Sequence, residues 1–287
     1  MMLALLLLLI WTPTVEAETP VWDLVKNARR DSLDIHQLNA TEQHRARRFF
    51  HALLQAAESG TIPPRLREEA AALSLHIRVE PQRVLVWGRE ASLGLYVVRL
   101  GKAKPAILQA PHSFYDLGSG RLTSALYEEG EWRAAYFNTG HRYGGPGLSD
   151  EDRPDPAPDV AHSPYSMFQA ATFGALDALN QPAIIQIHGF RSREGESAVV
   201  TPGASLQPNS IHVTVRNQLT PILAEWGPVL GAAARPNLAG RRNMQGRAVS
   251  GHARFIHLEL SKSARDGLAT DSEKLSALNG VLQEASP

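Results

Sequence analysis

Two short segments of the chain end apolar runs with side chains that could bind a metal ion. An apolar run that includes Leu108 is followed by His112 and, four residues later, by Asp116, and a second run, 184–187, ends in His188. Zinc in hydrolytic sites binds imidazoles and carboxylates and keeps one position for water. The residue types therefore predict a zinc site with His112, Asp116 and His188 as its ligands.

A third apolar run, 255–258, leads into Glu259. A carboxylate inside an apolar strand is costly to bury unless it has a partner or a role. Near a metal it could take a proton from water and pass it to a leaving amine, as a general base and then a general acid. The other interpretation is an exposed sheet face, because His257, Glu259 and Ser261 alternate on one side of the strand.

Arginine side chains near these runs could bind substrate. Guanidinium groups bind carboxylates in a bidentate manner and stabilise oxyanions. Arg142 in NTGHRY is a candidate catalytic residue of this kind, and Arg247 in RRNMQGR, with Asn243 beside it, is a candidate for substrate binding. A surface salt bridge is the alternative for Arg142, and it is favoured for Arg241 and Arg242.

The elements that position these residues alternate between strands and helices from residue 106 onward. Such alternation indicates an α/β fold with a mixed central sheet flanked by helices, in which ligands bind at the carboxyl ends of the strands. The apolar patterns, and the Gly and Pro residues that separate them, predict strands at 134–137, 183–187, 211–215 and 255–260, and helices at 122–129, 164–179 and 219–233.

The residues before this region predict a helical N-terminal extension. The segment 21–59 is helical in character, a short helix follows at 66–73, and strands are expected at 76–79, 83–87 and 93–100. We therefore expect a segment 18–100 that is continuous with an α/β core at 101–287. The stretch 144–160 is rich in Gly, Pro and Asp and is typical of a long surface loop.

Composition excludes several classes of function. The 29 basic residues are balanced by 29 acidic residues, so there is no overall basic field to hold a nucleic acid. The chain has no cysteine, which excludes disulfides, thiolate metal sites and a cysteine nucleophile.

The first residues predict export. An unbroken apolar run, 3–11, precedes Thr12, Pro13 and the small-residue pattern Val15-Glu16-Ala17. This pattern is typical of a signal peptide cleaved after Ala17, and the run is too short for an ordinary membrane-spanning helix. We therefore expect residues 1–17 to be removed, no stable membrane insertion, and a periplasmic or secreted protein.

Three motifs resemble the zinc carboxypeptidase superfamily, in particular the N-formylglutamate amidohydrolases and poly-gamma-glutamate hydrolases. APHSFYDLGSG is similar to the segment with the first two zinc ligands, IIQIHGF to the segment with the third, and FIHLELSKSAR to the strand with the general base. The resemblance covers roughly residues 105 to 265. It implies that His112, Asp116 and His188 bind zinc and that Glu259 is the base.

The first motif departs from the superfamily in its spacing. The superfamily has His-x-x-Glu, whereas this chain has His-x-x-x-Asp, one residue longer with a shorter carboxylate. His162, in DVAHSPYS, is the alternative third ligand and otherwise a substrate-binding candidate, and His141 is a weaker alternative.

Together with the predicted export, the resemblance implies an exported zinc hydrolase that cleaves an amide or peptide bond next to a carboxylate-bearing residue. Its substrate would be a peptide or an N-acyl amino acid. A binding protein that keeps the fold without turnover is a second hypothesis. A serine hydrolase is disfavoured because the chain has no Gly-x-Ser-x-Gly.

Overall fold

The computed structural model describes residues 18–32, 35, 37–90, 93–145, 158–191, 195–205, 210–251 and 253–286. The predicted signal peptide, 1–17, and most of the predicted loop, at 146–157, lie outside this range. None of the helices within it is long and apolar enough to cross a membrane.

The described residues form nine α-helices and nine strands. The helices are α1 (Val21–Asn27), α2 (Ala40–Glu58), α3 (Arg65–Ala71), α4 (Ser119–Glu129), α5 (Met167–Ala178), α6 (Ser210–Leu223), α7 (Met244–Ala248), α8 (Lys262–Leu268) and α9 (Ser272–Glu284). The strands are β1 (Leu75–Val79), β2 (Arg83–Gly88), β3 (Leu95–Arg99), β4 (Lys104–Ala110), β5 (Trp132–Phe137), β6 (Ala183–Phe190), β7 (Ala198–Thr201), β8 (Val229–Gly231) and β9 (Arg254–Ser261).

All nine described strands belong to one mixed sheet, in the order β1-β2-β3-β5-β4-β6-β9-β7-β8. The central strands β5, β4, β6 and β9 are parallel, whereas β1, β2 and β3 join on one side through antiparallel pairs. Helices cover both faces. The predicted α/β class is confirmed, including the mixed sheet and the helical N-terminal extension α1–α3.

The central strands are buried because they carry apolar side chains on both faces. On β6, Ile185 and Ile187 pack into one core cluster with α4, α6 and α9. Ile184 faces the other cluster, with α2 and α5. Toward the carboxyl end of β6, the second face changes from Ile184 to Gln186 and then to His188. The change from apolar to polar residues marks where the core ends and the candidate site begins.

One predicted strand is wrong. Residues 211–215 lie in α6, where His212, Val215, Leu219 and Leu223 form the buried stripe. The alternation of Ile211, Val213 and Val215 favours a strand over five residues, but the helical spacing over the longer segment buries more apolar surface. The predicted helix at 219–233 ends instead at Leu223, and β7 and β8 were not predicted.

Close contact between α2 and α5 depends on Gly174. A methyl group built there would lie 2.6 Å from Phe50 Cβ and 2.8 Å from the Arg47 carbonyl oxygen. We expect Gly174→Ala to lower the free energy of unfolding by ~1–3 kcal/mol through overpacking, measured by chemical denaturation.

The matched control is Gly280→Ala. Gly280 is exposed on α9, and a methyl group there would meet no atom within 4 Å. Because alanine favours helix over glycine, this variant should be as stable as the parent or up to about 1 kcal/mol more stable. Equal effects of the two substitutions would contradict the close helix contact.

Candidate metal centre and its cavity

The candidate site lies where the central parallel strands end. Across this edge, Gln109 on β4 pairs in register with Gln186 on β6, which pairs with His257 on β9. One step further toward the carboxyl ends, His188 pairs with Glu259. The register therefore brings together polar side chains that are far apart in the sequence.

A single turn after β4 places His112 and Asp116 on the same side. The amide N–H groups of Tyr115 and Asp116 donate to the His112 carbonyl oxygen at 3.0 and 2.9 Å. Residues four apart in such a helical turn face the same direction. The four-residue spacing therefore lets the two side chains converge. Asp116 contacts His112, although aspartate is shorter than the glutamate of the superfamily.

Three side-chain atoms converge at this point. Asp116 Oδ2 lies 3.3 Å from His112 Nδ1 and 3.2 Å from His188 Nδ1, and the Gly189 amide donates to it at 3.1 Å. All three side chains are buried. One potential ligand atom from each lies within 4.8 Å of the other two. The cluster therefore offers two imidazole nitrogens and one carboxylate oxygen to a single ion.

The far nitrogen of each histidine has an acceptor of its own. His112 Nε2 lies 2.8 Å from Asp159 Oδ1, and His188 Nε2 lies 2.7 Å from Gln186 Oε1. A carboxylate and an amide oxygen only accept hydrogen bonds, so both Nε2 atoms carry the proton. Partners of this kind orient metal-binding histidines and leave Nδ1 toward the ion.

Asp159 is a buried carboxylate with three partners. Besides His112, its Oδ2 lies 2.7 Å from Arg142 Nη2 and 2.9 Å from His162 Nδ1. Burial alone would raise its pKa, but the charge of His112, the hydrogen bonds from His112 and His162, and Arg142 hold the pKa well below its usual value. Asp159 is therefore ionised and anchors both a candidate ligand and an arginine of the cavity.

The two candidate histidine ligands have opposite pKa shifts. Burial lowers the pKa of His112, but the carboxylates Asp159 and Asp116 outweigh burial and raise it to about 9. His188 has a neutral amide behind it, so burial dominates and lowers its pKa to about 4. A pKa of about 9 keeps His112 protonated at neutral pH in the metal-free protein, so its Nδ1 can donate to Asp116.

Glu259 is buried beside the group formed by His112, Asp116 and His188, and it lines the cavity. Its Oε1 lies 3.8 Å from His257 Nε2, and His188, His257 and Glu259 form a second group of potential ligands that shares His188 with the first. Burial, reinforced by the charge of Asp116, raises the pKa of Glu259 to about 8. A carboxyl with this pKa can accept or release a proton near neutral pH.

A cavity of about 440 Å³ opens over both groups. Its wall includes Arg142, which packs against the rings of Tyr115 and Tyr143. Arg241 and Arg242, predicted as surface residues, also line the cavity and are exposed. The cavity lining thus combines carboxylates with guanidinium groups.

The remaining sequence candidates divide into those at the cavity and those away from it. His162 lines the cavity but contacts Asp159 instead of the three-atom cluster. Asn243 lines it too, with its side chain bonded to Gln186 and to the Gly246 amide. Arg247 is not brought to the site: it is exposed, because α7 directs it toward the Arg241 carbonyl oxygen. His141 is absent from the lining and packs against Tyr115.

The sequence interpretation missed several residues of the site. Asp159 fell within the predicted loop at 144–160, whose described end is buried instead of exposed. Gln109 and Gln186 were treated as parts of apolar strands, although a glutamine at the same depth in two neighbouring strands is a detectable signal. Arg265, the last residue of FIHLELSKSAR, is buried and donates to the Leu117 and Leu260 carbonyl oxygens, but the sequence interpretation assigned it no role.

Loss of the Asp159 charge should disturb both of its anchored partners. We expect Asp159→Asn to lower the pKa of His112 from about 9. It should lower the free energy of unfolding at neutral pH by ~3–5 kcal/mol, because it removes one partner from a buried ion pair. Imidazole titration by NMR and chemical denaturation measure the two effects. His162→Gln is the control: it removes a partly buried partner of Asp159 and should cost less than about 1 kcal/mol. Equal destabilisation by both would be inconsistent with Asp159 as the anchor.

The raised pKa of Glu259 predicts a pH-dependent stability. The folded protein favours the protonated carboxyl of Glu259, and this preference adds to the free energy of unfolding. The added stability is fully present below the pKa of the unfolded state, about 4.3, and is lost as the pH rises through about 8. Glutamine does not titrate. With a chelator present, Glu259→Gln should therefore become increasingly more stable than the parent as the pH rises, by more than about 1 kcal/mol between about pH 5 and about pH 8.

Denaturation at each pH measures this difference. Glu69→Gln, at an exposed position on α3, provides the comparison, and the gain in stability with rising pH should be larger for Glu259→Gln than for Glu69→Gln. Parallel curves for Glu259→Gln would show that Glu259 titrates normally.

Comparison with known proteins gives similarity to solved structures alone. No protein-family model matches the chain, and no curated protein matches it. A bacteriophage poly-gamma-glutamate hydrolase is 14% identical with a TM-score of 0.40, covering 66% of this chain and 87% of that one. A succinylglutamate desuccinylase from Vibrio parahaemolyticus is 12% identical with a TM-score of 0.43, covering 74% and 76%.

A third solved structure is that of YNDL in its zinc-free form. It is 13% identical with a TM-score of 0.40, covering 66% of this chain and 87% of that one. At these TM-scores the similarities support no conclusion about activity, which must come from the side chains of the site.

Proposed function

We propose that this protein is a zinc-dependent hydrolase that cleaves an amide or peptide bond next to a carboxylate-bearing residue. The observation that carries the proposal is the convergence of His112 Nδ1, His188 Nδ1 and Asp116 Oδ2, while each histidine has a separate acceptor at Nε2. With His112 deprotonated at Nδ1, three acceptor atoms face one another in a buried place, an arrangement that a cation would stabilise.

The donor set fits zinc. Two imidazole nitrogens and one carboxylate oxygen are a known ligand combination of catalytic zinc, whereas calcium and magnesium prefer oxygen ligands throughout. His112, Asp116 and His188 would hold the ion. Bound zinc would supply a Lewis acid that polarises the substrate carbonyl and makes a water molecule more acidic.

Glu259 supplies the proton transfer in this proposal. In its ionised form the carboxylate takes a proton from the attacking water, and the resulting carboxylic acid then gives that proton to the nitrogen of the leaving amine. Its place beside His188 and in the cavity lining supports this role. Burial raises the pKa of Glu259, so its carboxylate can accept a proton near neutral pH.

The charges of the cavity support a substrate with a carboxylate. Arg142 is held in place by Asp159 and by two aromatic rings, so its guanidinium is oriented before substrate binds. It would donate to a substrate carboxylate or to a developing oxyanion. His162 remains a candidate for substrate contact, whereas Arg247 is left out because it lies away from the cavity.

The proposal includes export. It is supported by the apolar run followed by small residues within 1–17. Detection of a mature N-terminus at Glu18 in the exported fraction would establish this part, and an intact N-terminus in the cytosol would refute it.

Elemental analysis of the purified protein tests the metal site. We expect about one zinc per chain, retained by His162→Ala and lost from variants of each of the three ligands: His112→Ala, Asp116→Ala and His188→Ala. Zinc that is retained by Asp116→Ala and lost from His162→Ala would instead assign His162 as the third ligand. No zinc in the parent, even after zinc is added, would overturn the proposal.

Turnover is tested separately with Glu259→Gln. This variant should keep the metal and lose at least about 100-fold in kcat on the amide substrate that the parent cleaves, found among peptides and N-acyl amino acids with a carboxylate. Full activity in Glu259→Gln would exclude Glu259 as the base. Zinc binding with no turnover of any such substrate would favour the binding-protein hypothesis.

A further inference from the structure

We infer that Gln186 is a positioning residue that fixes the proton of His188 on Nε2, through a buried set of amide side chains whose orientation is set by the backbone. The inference concerns the metal-free protein. Its consequence for metal binding rests on the proposed function. The set comprises Gln186, Gln109, Gln169, Asn243 and Gln245, all buried.

The amide of Gln186 uses all of its hydrogen-bonding capacity. Its Nε2 donates to Gln109 Oε1 at 3.0 Å and to Gln245 Oε1 at 3.1 Å. Its Oε1 accepts from Asn243 Nδ2 and lies 2.7 Å from His188 Nε2. Two hydrogens and two lone pairs are therefore each matched, and exchanging the amide oxygen and nitrogen would break all four contacts.

Backbone carbonyl groups determine the direction of these bonds on one side. Gln245 Nε2 donates to the Val160 carbonyl oxygen at 3.0 Å and to Gln169 Oε1 at 2.7 Å, and Gln169 Nε2 donates to the Met244 carbonyl oxygen. Because a carbonyl oxygen only accepts, the nitrogen of Gln245 must face Val160. The oxygen of Gln245 must then face Gln186 and accept from it.

The other two neighbours of Gln186 are oriented independently. The Thr172 hydroxyl donates to the Phe168 carbonyl oxygen at 2.9 Å, so Thr172 Oγ1 accepts from Gln109 Nε2 and the Gln109 oxygen faces Gln186. Asn243 Oδ1 accepts from the Gly246 amide at 2.9 Å at the start of α7. Its nitrogen is thereby turned toward Gln186 Oε1.

The orientation of Gln186 determines which nitrogen of His188 carries a proton. Gln186 can present only its oxygen to the imidazole, so His188 Nε2 must carry a proton, and in the neutral ring the lone pair is then on Nδ1. A competing arrangement exists, because Asp116 Oδ2 lies 3.2 Å from Nδ1 and would accept a proton there. The amide set therefore decides between two tautomers, and it selects the one in which Nδ1 can bind a metal.

Imidazole ¹⁵N spectroscopy of the metal-free protein tests the inference directly. With His188 assigned through its own side-chain protons, the Nε2 resonance should be that of a protonated ring nitrogen and the Nδ1 resonance that of an unprotonated one at neutral pH. An unprotonated Nε2 in the parent protein would overturn the inference, with no variant needed.

Two matched variants separate a positioning role from a packing role. Gln186→Met removes the acceptor, and we expect the proton of His188 to move to Nδ1 and Asp116. Gln109→Met removes a buried amide of the same kind, but Gln245 still orients Gln186, so the tautomer should stay unchanged. An equal change in both variants, or in neither, would contradict the assignment.

Zinc affinity provides the second readout. Gln186→Met should lower the affinity by about 10- to 100-fold, whereas Gln109→Met should lower it by much less than tenfold. If the parent binds no zinc, the proposed function fails while the tautomer result stands on its own. If the tautomer changes and the zinc affinity is equal in both variants, the consequence for metal binding is wrong.

Discussion

Asp116 presents one carboxylate oxygen to two imidazole nitrogens and a backbone amide inside a cluster almost closed to solvent. Such an arrangement is stable only if each nitrogen that faces the carboxylate oxygen either donates a proton to it or binds, together with it, a common cation. Much of the surrounding structure serves this requirement. The turn after β4 holds Asp116 next to His112, the register of β6 and β9 sets Glu259 beside His188, and buried polar groups behind both histidines fix where their protons lie.

The two histidines meet the requirement by different means. Behind His112 stands an ionised carboxylate that also holds Arg142 and His162, whereas behind His188 stands a neutral amide held by other amides. A carboxylate makes the imidazole more basic and tolerates its protonation, which accounts for the raised pKa of His112. An amide fixes the tautomer without adding charge, so burial keeps His188 neutral. One ligand is thus charged and the other uncharged before a metal binds.

This site is built at a cost to stability. Glu259 is buried near another carboxylate, and a pKa of about 8 means that the fold opposes its ionisation. Replacement by glutamine relieves that opposition and removes the only proton-transfer group we assign. Where burial shifts the pKa of a functional side chain, we expect a substitution of that side chain to stabilise the protein and to abolish its proposed function.

The sequence by itself determined the class of the fold and the neighbourhood of the site. Apolar runs that end in His112, His188 and Glu259 indicate strands with polar carboxyl ends, and such ends meet at one edge of a parallel sheet. It did not determine partners, because Asp159 lies 47 positions from the histidine it contacts and Gln245 lies 59 from Gln186.

Only tertiary packing brought those pairs together, placed Asp116 in the cluster and His162 outside it, and turned Arg247 away from the cavity. It also made residues 211–215 part of a helix, because a five-residue alternation is overridden by the longer stripe that α6 buries against the sheet. Local patterns report which face is apolar, whereas hydrogen-bond partners across the core depend on how whole elements pack.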